Sequence, residues 1–292
     1  MLRAASDHAD LTFHGLAFVP PRVDAPDLVR AASLFRPAWV ALANERFPAG
    51  AFAPIAHDAP AVGAMAGTAE AALGLQRLAF LHDSIPRFLS TARRSLSELQ
   101  PADVDRPDEL AALKLVPEAP VEVFRSGLLL SARAFTAVHA VALRPFESRV
   151  IEALAPRWER LVQQSPGLAD LTVHVSATLG PRGRLLGDTV HVGTSTLPFA
   201  ADAPDTDTPL ALAAHEASVR ASAEALRAHG SSAPWSLIER AALAGAALAY
   251  RGTEVEAAYA VWRLGLSEVG LSPHDAAIEH LAGEIRDRLR SR

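Results

Sequence analysis

Cysteine is absent from this sequence of 292 residues. Its absence excludes disulfide bonds, thiol nucleophiles and cysteine-ligated zinc, and it points to no particular compartment. Lysine is almost absent, since Lys114 is the only lysine among 28 basic residues. Schiff-base chemistry and a P-loop lysine are therefore excluded over nearly the whole chain. The other basic residues are arginines, and with the abundant alanine they are typical of a GC-rich bacterial genome.

Long apolar runs are also absent. The longest strongly apolar helical stretch, residues 241–250, is about half the length of a transmembrane helix. The first residues carry charge where a signal peptide needs a continuous apolar core. The net charge of −5 and the pI near 6.1 show no excess of basic residues of the kind that binds nucleic acid. We therefore expect a cytoplasmic protein that binds neither membranes nor nucleic acid.

Apolar residues make up 50% of the chain and charged residues 21%, which is typical of a folded globular protein. We predict an α+β fold, mainly α-helical, with a small antiparallel sheet (about 171–193) packed against C-terminal helices. In the proline-rich N-terminal part we expect a short strand at 11–19 and a helix near 26–35. A weak change in composition near residue 120 predicts two regions, a helical region 1–120 and an α+β region 121–292. The alternative is that the whole chain forms a single domain.

Two stretches alternate between apolar and polar residues, "LTVHVSATL" (171–179) and "LLGDTVHVG" (185–193). This alternation is typical of strands. An antiparallel hairpin that keeps the apolar faces together pairs Leu179 with Leu186 and places His174 opposite His191. The connection "GPRGR" contains Arg182 and Arg184, which are candidate contacts for an anion, although the simpler interpretation is a turn.

The stretch "TPLALAAHEASVRASAEAL" (208–226) predicts a helix in which His215 is followed at once by Glu216. A strand followed by such a helix resembles the core of zincin peptidases. The resemblance covers about sixty residues and implies that His215 is the first zinc ligand and Glu216 the general base. The second ligand of the family stands four residues after the first, and Val219 occupies that position.

His174, His191 and His215 together would make a three-histidine site suited to zinc or iron. The alternative is that His215 is a buried structural histidine and that the other two lie on a solvated sheet face.

Two hypotheses about function follow. The first is a non-catalytic partner protein, such as an accessory subunit that presents a peptide to a modifying enzyme. The second is a metal-dependent, peptidase-like enzyme with non-standard ligands, and the sequence leaves open whether the protein is an enzyme at all.

Overall fold

A computed structural model describes residues 1–16, 74–195, 203–230, 235–260 and 276–291, together with the single positions 38 and 41. The helix predicted near 26–35 lies outside these residues. The described chain is mainly helical with a small sheet packed against helices, so the predicted α+β class is confirmed. Its α-helices are α1 (Asp7–Leu16), α2 (Ile85–Thr91), α3 (Pro107–Leu113), α4 (Glu118–Val138), α5 (Arg144–Gln164), α6 (Asp207–Ala228), α7 (Trp235–Ala249) and α8 (Ala276–Arg290).

The sheet has four strands in the order β1-β2-β4-β3. These are β1 (Leu2–Ala4), β2 (Thr172–Val175), β3 (Gly183–Leu186) and β4 (Thr189–Val192). β1 runs parallel to β2, and β2 runs parallel to β4, whereas β3 is antiparallel to β4. The sheet is therefore mixed, and it joins the N-terminal residues to the segment in which strands were predicted.

The predicted antiparallel pairing of the two alternating stretches is wrong in direction. β2 and β4 pair in parallel, with Val173 opposite Val190. The chain reaches β4 through the extra strand β3 and a tight turn at Gly187, whose φ of 57° favours glycine. His174 and His191 are nevertheless opposite each other, as predicted, because reversing a strand about that pair leaves the pair in place.

One face of the sheet, the histidine face, carries polar side chains. Residues that pair across neighbouring strands point to the same side, and one such row consists of Arg3, His174, His191 and Arg184. Phe13 of α1 and Phe80 of the 3-10 helix Leu75–Phe80 each have ring centroids 5.1 Å from that of His191. His191 is only 1% exposed, so these two elements cover the part of the histidine face around His191, whereas Arg3 at the other end of the row is exposed.

The opposite face, the valine face, packs against α6. Its buried side chains are Val173, Val175, Val190 and Val192. A Cβ atom built on Gly183 would lie 2.9 Å from Cγ of Glu216, so the glycine lets α6 approach β3 closely. The sheet therefore separates α6 from the side chains of the histidine face.

The strand predicted at 11–19 is wrong over residues 11–16, which belong to α1. Residues 8 to 13 of this helix are all buried. A helix enclosed on all sides lacks the three- and four-residue spacing of an amphipathic helix. The alternation of Leu11 and Phe13 with polar residues therefore indicated a strand where the chain forms a helix.

Residues 118–164 form one long helical segment with a π-helical turn, His139–Leu143, between α4 and α5. Pro145 stands in the first turn of α5. Proline has no N–H, and its ring crowds the carbonyl group four residues earlier, here that of Val141. The π-turn accommodates this break in the helical hydrogen bonds, and it sets the direction of His139.

The C-terminal helices α6, α7 and α8 pack against one another. α6 begins after Thr206, close to the helix start predicted at 208, and ends before His229 and Gly230. α7 and α8 approach closely where a Cβ atom built on Gly245 would lie 2.4 Å from Cγ2 of Ile285. Fifteen of the 22 residues of α6 are buried, so this helix is the centre of the C-terminal group.

A single cluster of buried apolar side chains extends from Ala5 to Leu289. It includes residues on both sides of position 120, which itself falls within α4. The division of the chain into regions 1–120 and 121–292 stays a prediction. None of the helices in the described ranges combines the length and the apolar character needed to cross a membrane.

Candidate functional site

Three polar side chains from separate elements meet in a buried cluster near the end of β2. Asp10 lies on α1, His139 is the first residue of the π-turn and Glu147 is in the first turn of α5. Each has 0% exposure. We call them the Asp10–His139–Glu147 cluster. π-turns within long helices occur frequently at functional sites, and this one supplies the histidine.

The imidazole of His139 lies between the two carboxyl groups. Its Nε2 atom is 2.5 Å from Oδ2 of Asp10 and 3.9 Å from Oε2 of Glu147. One potential ligand atom from each residue lies within 4.8 Å of the other two. Ligand atoms around a tetrahedral zinc ion are about 3.3 Å apart. Small side-chain movements would therefore let the three residues share one ion.

The chain just after β2 holds both carboxyl groups in place. The hydroxyl group of Ser176 donates a hydrogen bond to Oδ1 of Asp10, and that of Thr178 donates to the main-chain oxygen of Asp10 at 2.6 Å. The N–H group of Ala177 donates to Oε1 of Glu147 at 3.0 Å. Hydrogen bonds of this kind orient the ligands in metal sites.

Arg144 connects the cluster to the surface. Its NH1 atom lies 3.6 Å from Oε2 of Glu147 and donates a hydrogen bond to the main-chain oxygen of Ala5 at 2.6 Å. The Arg144 side chain is 36% exposed, whereas that of Glu147 is 0% exposed. The guanidinium group offsets part of the negative charge of the cluster and lies on its solvent side.

The two carboxyl groups of the cluster have opposite pKa shifts. Burial raises the pKa of Glu147 well above its usual range, and the neighbouring charge of Asp10 raises it further. Burial also raises the pKa of Asp10, but hydrogen bonds with His139 and Glu147 outweigh burial, so the pKa of Asp10 is lowered. An ionised Asp10 thus stands beside a Glu147 that holds its proton tightly. Such divergent pairs are typical of acid–base sites.

His174 and His191 lie together on the histidine face. Their ring centroids are 5.0 Å apart, and the rings are nearly perpendicular at 89°. Neither ring nitrogen of His191 has a hydrogen-bond partner among the described residues. Burial lowers the pKa of both histidines, to about 3 for His191, where repulsion by His174 contributes. Two mostly neutral imidazoles therefore stand side by side at neutral pH.

His215 lies in α6, on the other side of the sheet. Its Nε2 atom is 2.9 Å from Oε2 of Glu239 in α7, and its Nδ1 atom is 3.4 Å from the hydroxyl group of Tyr259. Glu216 is 2% exposed and lies against Gly183 of β3. The structure thus brings two of the three predicted histidines together and places the third beside a different set of polar groups.

Two groups of three potential metal ligands occur among the described residues, the buried cluster and a surface group. Neither group includes His174, His191 or His215. Val219, at the position of the second zincin ligand, is 1% exposed. A metal ion bound by the three histidines stays a prediction, as does a role for Glu216 as a base.

The two arginines of the predicted turn are buried, and Arg184 lies in β3 rather than in a turn. Arg182 is 6% exposed and Arg184 is 7% exposed. NH1 of Arg184 donates a hydrogen bond to the main-chain oxygen of Gly183 at 2.7 Å. This contact supports the local chain path, and an anion bound by the two arginines stays a prediction.

No protein-family model, curated protein or solved structure matches this chain. The function is therefore inferred from the side chains that the fold brings together.

Sequence reasoning missed all three members of the Asp10–His139–Glu147 cluster. Each is an ionisable residue next to apolar residues, as in "ADLTF", "AVHAVAL" and "RPFES". A buried polar residue is more informative than an exposed apolar one, so this signal existed. It does not show that residues 10, 139 and 147 meet, because their contact depends on how α1 crosses the π-turn.

Proposed function

We propose that this protein is a metal-dependent enzyme in which Asp10, His139 and Glu147 hold the ion. The observation that carries the proposal is the convergence of these three side chains, fully buried, within 4.8 Å of one another. Catalytic metal sites have three protein ligands and leave a further position for water or substrate. One imidazole and two carboxylates suit zinc, iron(II) or manganese.

The residues around the ligands support the same proposal. Ser176 and Thr178 hold Asp10, and Ala177 holds Glu147, so the ligand atoms are oriented before any ion binds. Ion binding requires Glu147 to lose the proton that burial and Asp10 favour. In the ion-bound protein Arg144 would remain on the solvent side, where it could contact a negatively charged group of a substrate.

The experiment compares two buried glutamates that each contact a histidine. Glu147 is 3.9 Å from Nε2 of His139, and Glu239 is 2.9 Å from Nε2 of His215. Glu147→Gln and Glu239→Gln are prepared in untagged protein with the wild-type control. Each protein is incubated with zinc, iron(II) or manganese and freed of excess ion, and its metal content is measured by mass spectrometry.

We expect Glu147→Gln to hold one equivalent of metal per chain less than wild type, and Glu239→Gln to equal wild type. Equal metal in Glu147→Gln and wild type would overturn the proposal. A loss confined to Glu239→Gln would instead assign the ion to His215 and support the zincin-like alternative. Circular dichroism of both variants checks that the substitutions leave the fold intact.

A second candidate function is a non-catalytic partner protein that presents a peptide to a modifying enzyme. Two observations favour it: β3 is an outer strand of the described sheet, and Val219 stands where a zincin helix has its second histidine, while His215 is bonded to Glu239. Outer strands bind extended peptides through main-chain hydrogen bonds. The test is peptide binding by fluorescence polarisation, in which N-methylation at alternate residues of a bound peptide abolishes binding. Binding that survives N-methylation would contradict this mode.

Both candidates keep the sequence-based expectation of a cytoplasmic protein that does not bind nucleic acid. Fractionation of the native cells and an electrophoretic shift assay with mixed DNA and RNA test these two expectations. Recovery of the protein outside the cytoplasm, or a shift at physiological salt, would contradict them.

A further inference from the structure

The second group of potential metal ligands lies on the surface where the end of α6 meets α8. It consists of His229, His280 and Glu284. Their side chains are 50%, 74% and 30% exposed, respectively. This group shares no residue with the buried cluster, so it is independent of the proposed function.

The backbone fixes the relative positions of these three residues. His229 is the C-cap of α6, and its N–H group bonds to the carbonyl groups of Ala225 and Leu226. Gly230 follows with a φ of 71°, which ends the helix in the left-handed conformation. His280 and Glu284 are four residues apart on α8 and therefore share one helix face.

The imidazoles of His229 and His280 each direct their Nε2 atom at the carboxylate of Glu284. Nε2 of His229 is 2.9 Å from Oε1 and 3.2 Å from Oε2 of Glu284, and Nε2 of His280 is 3.4 Å from Oε1. Ligand atoms 2.0 to 2.1 Å from a tetrahedral zinc ion lie about 3.3 Å from one another. The observed separations therefore already approach those around a shared ion.

We propose that His229, His280 and Glu284 form a zinc site that ties the end of α6 to α8. Two imidazole nitrogens and one carboxylate oxygen are typical zinc ligands, and the exposure of the group leaves room for water as the fourth ligand. Magnesium prefers an all-oxygen octahedral shell, so it does not suit this set. Bound zinc stabilises the packing of α8 on α6, because the unfolded chain does not hold the three ligands together.

The test compares two exposed positions on α8. His280→Gln removes one ligand, whereas Glu279→Gln removes a neighbouring charge that does not belong to the group. Untagged full-length proteins are titrated with zinc chloride by calorimetry, and their melting temperatures are measured with and without zinc. Magnesium chloride serves as the control ion.

We expect His280→Gln to bind one equivalent of zinc fewer than Glu279→Gln, or to bind that equivalent at least tenfold more weakly. The rise in melting temperature with zinc is smaller in His280→Gln. Identical titrations for the two variants, or an equal rise with magnesium, would overturn the proposal. The buried cluster is intact in both variants, so a failure of the proposed function would leave their difference unchanged.

Discussion

Nε2 of His139 lies 2.5 Å from Oδ2 of Asp10, across 129 residues of sequence and with both side chains fully buried. A similar pair occurs on the surface, where Nε2 of His229 lies 2.9 Å from Oε1 of Glu284 with side chains 50% and 30% exposed. The same two chemical groups thus meet in two environments. Burial decides how much each contact contributes to stability.

Removing the buried carboxylate is expected to be costly. Asp10→Ala leaves His139 and Ser176 without the carboxylate that they contact in the wild type, whereas Thr178 keeps the main-chain oxygen of residue 10. Breaking a buried ion pair in this way costs about 3–5 kcal/mol. Glu284→Ala breaks the exposed pair and costs about 1 kcal/mol or less. Urea unfolding of both variants in the presence of a chelator measures the two values, and equal values would contradict the role assigned to burial.

Two glycines in contacting helices predict opposite effects of the same substitution. Gly245→Ala in α7 places a Cβ atom 2.4 Å from Cγ2 of Ile285, so α7 and α8 must separate. We expect a loss of about 1–3 kcal/mol in the free energy of unfolding. The Cβ atom of Gly283→Ala in α8 meets no atom of the described residues within 4 Å, and the better helix propensity of alanine adds about 0.5–1 kcal/mol. Thermal unfolding of both variants checks the signs, which must differ.

The buried His191 predicts a loss of stability in acid. Burial, with repulsion by His174, lowers its pKa from 6.5 to about 3. Between these pH values the unfolded chain binds a proton that the folded chain does not. The stabilising contribution of neutral His191 is therefore complete above about pH 6.5 and is lost as the pH falls toward 3. The slope for one proton is about 1.4 kcal/mol per pH unit.

His191→Leu removes this proton uptake. We expect the variant to lose about 1–2 kcal/mol less stability than the wild type between pH 6 and pH 4.5. Urea unfolding at a series of pH values, with chelator present, measures the difference. His280→Leu, at an exposed position, is the control. A pH dependence in His191→Leu identical to that of the wild type would contradict the assignment.

The alternation of apolar and polar residues was enough to predict that His174 and His191 lie opposite each other. It was not enough to predict the direction of the strands, because reversing β4 about His191 keeps the apolar faces together. The dipeptide Gly187-Asp188 is itself a hairpin signal, and it marks the turn between β3 and β4. This turn divides residues 185–193 between β3, which ends at Leu186, and β4, which begins at Thr189.

The candidate site depended on contacts that no local pattern contains. β1 has three residues, too few to show a period, and α1 is buried on all sides. The π-turn that directs His139 accommodates Pro145, which lies two residues beyond it, and the residues of the turn itself do not indicate a π-helix. Sequence reasoning therefore identified the helix that carries His215 but not the cluster on the other side of the sheet.

The hydrogen bond from Ser176 to Asp10 predicts an effect on metal affinity. Ser176→Ala removes the donor that orients this carboxylate, and losses of this kind cost about 10- to 100-fold in affinity. Ser218→Ala is the matched control, because its hydroxyl group donates within α6 to the carbonyl group of Ala214 at 2.8 Å. Competition with a chromophoric chelator measures both affinities. A similar change in both variants would contradict the position of the site.

The most direct test of the central claim is anomalous X-ray scattering from crystals of the protein grown with zinc and measured on both sides of the zinc edge. We expect an anomalous peak within bonding distance of Asp10, His139 and Glu147. A peak between His215 and Glu239, or density at the buried cluster that shows the three side chains without an ion, would contradict it.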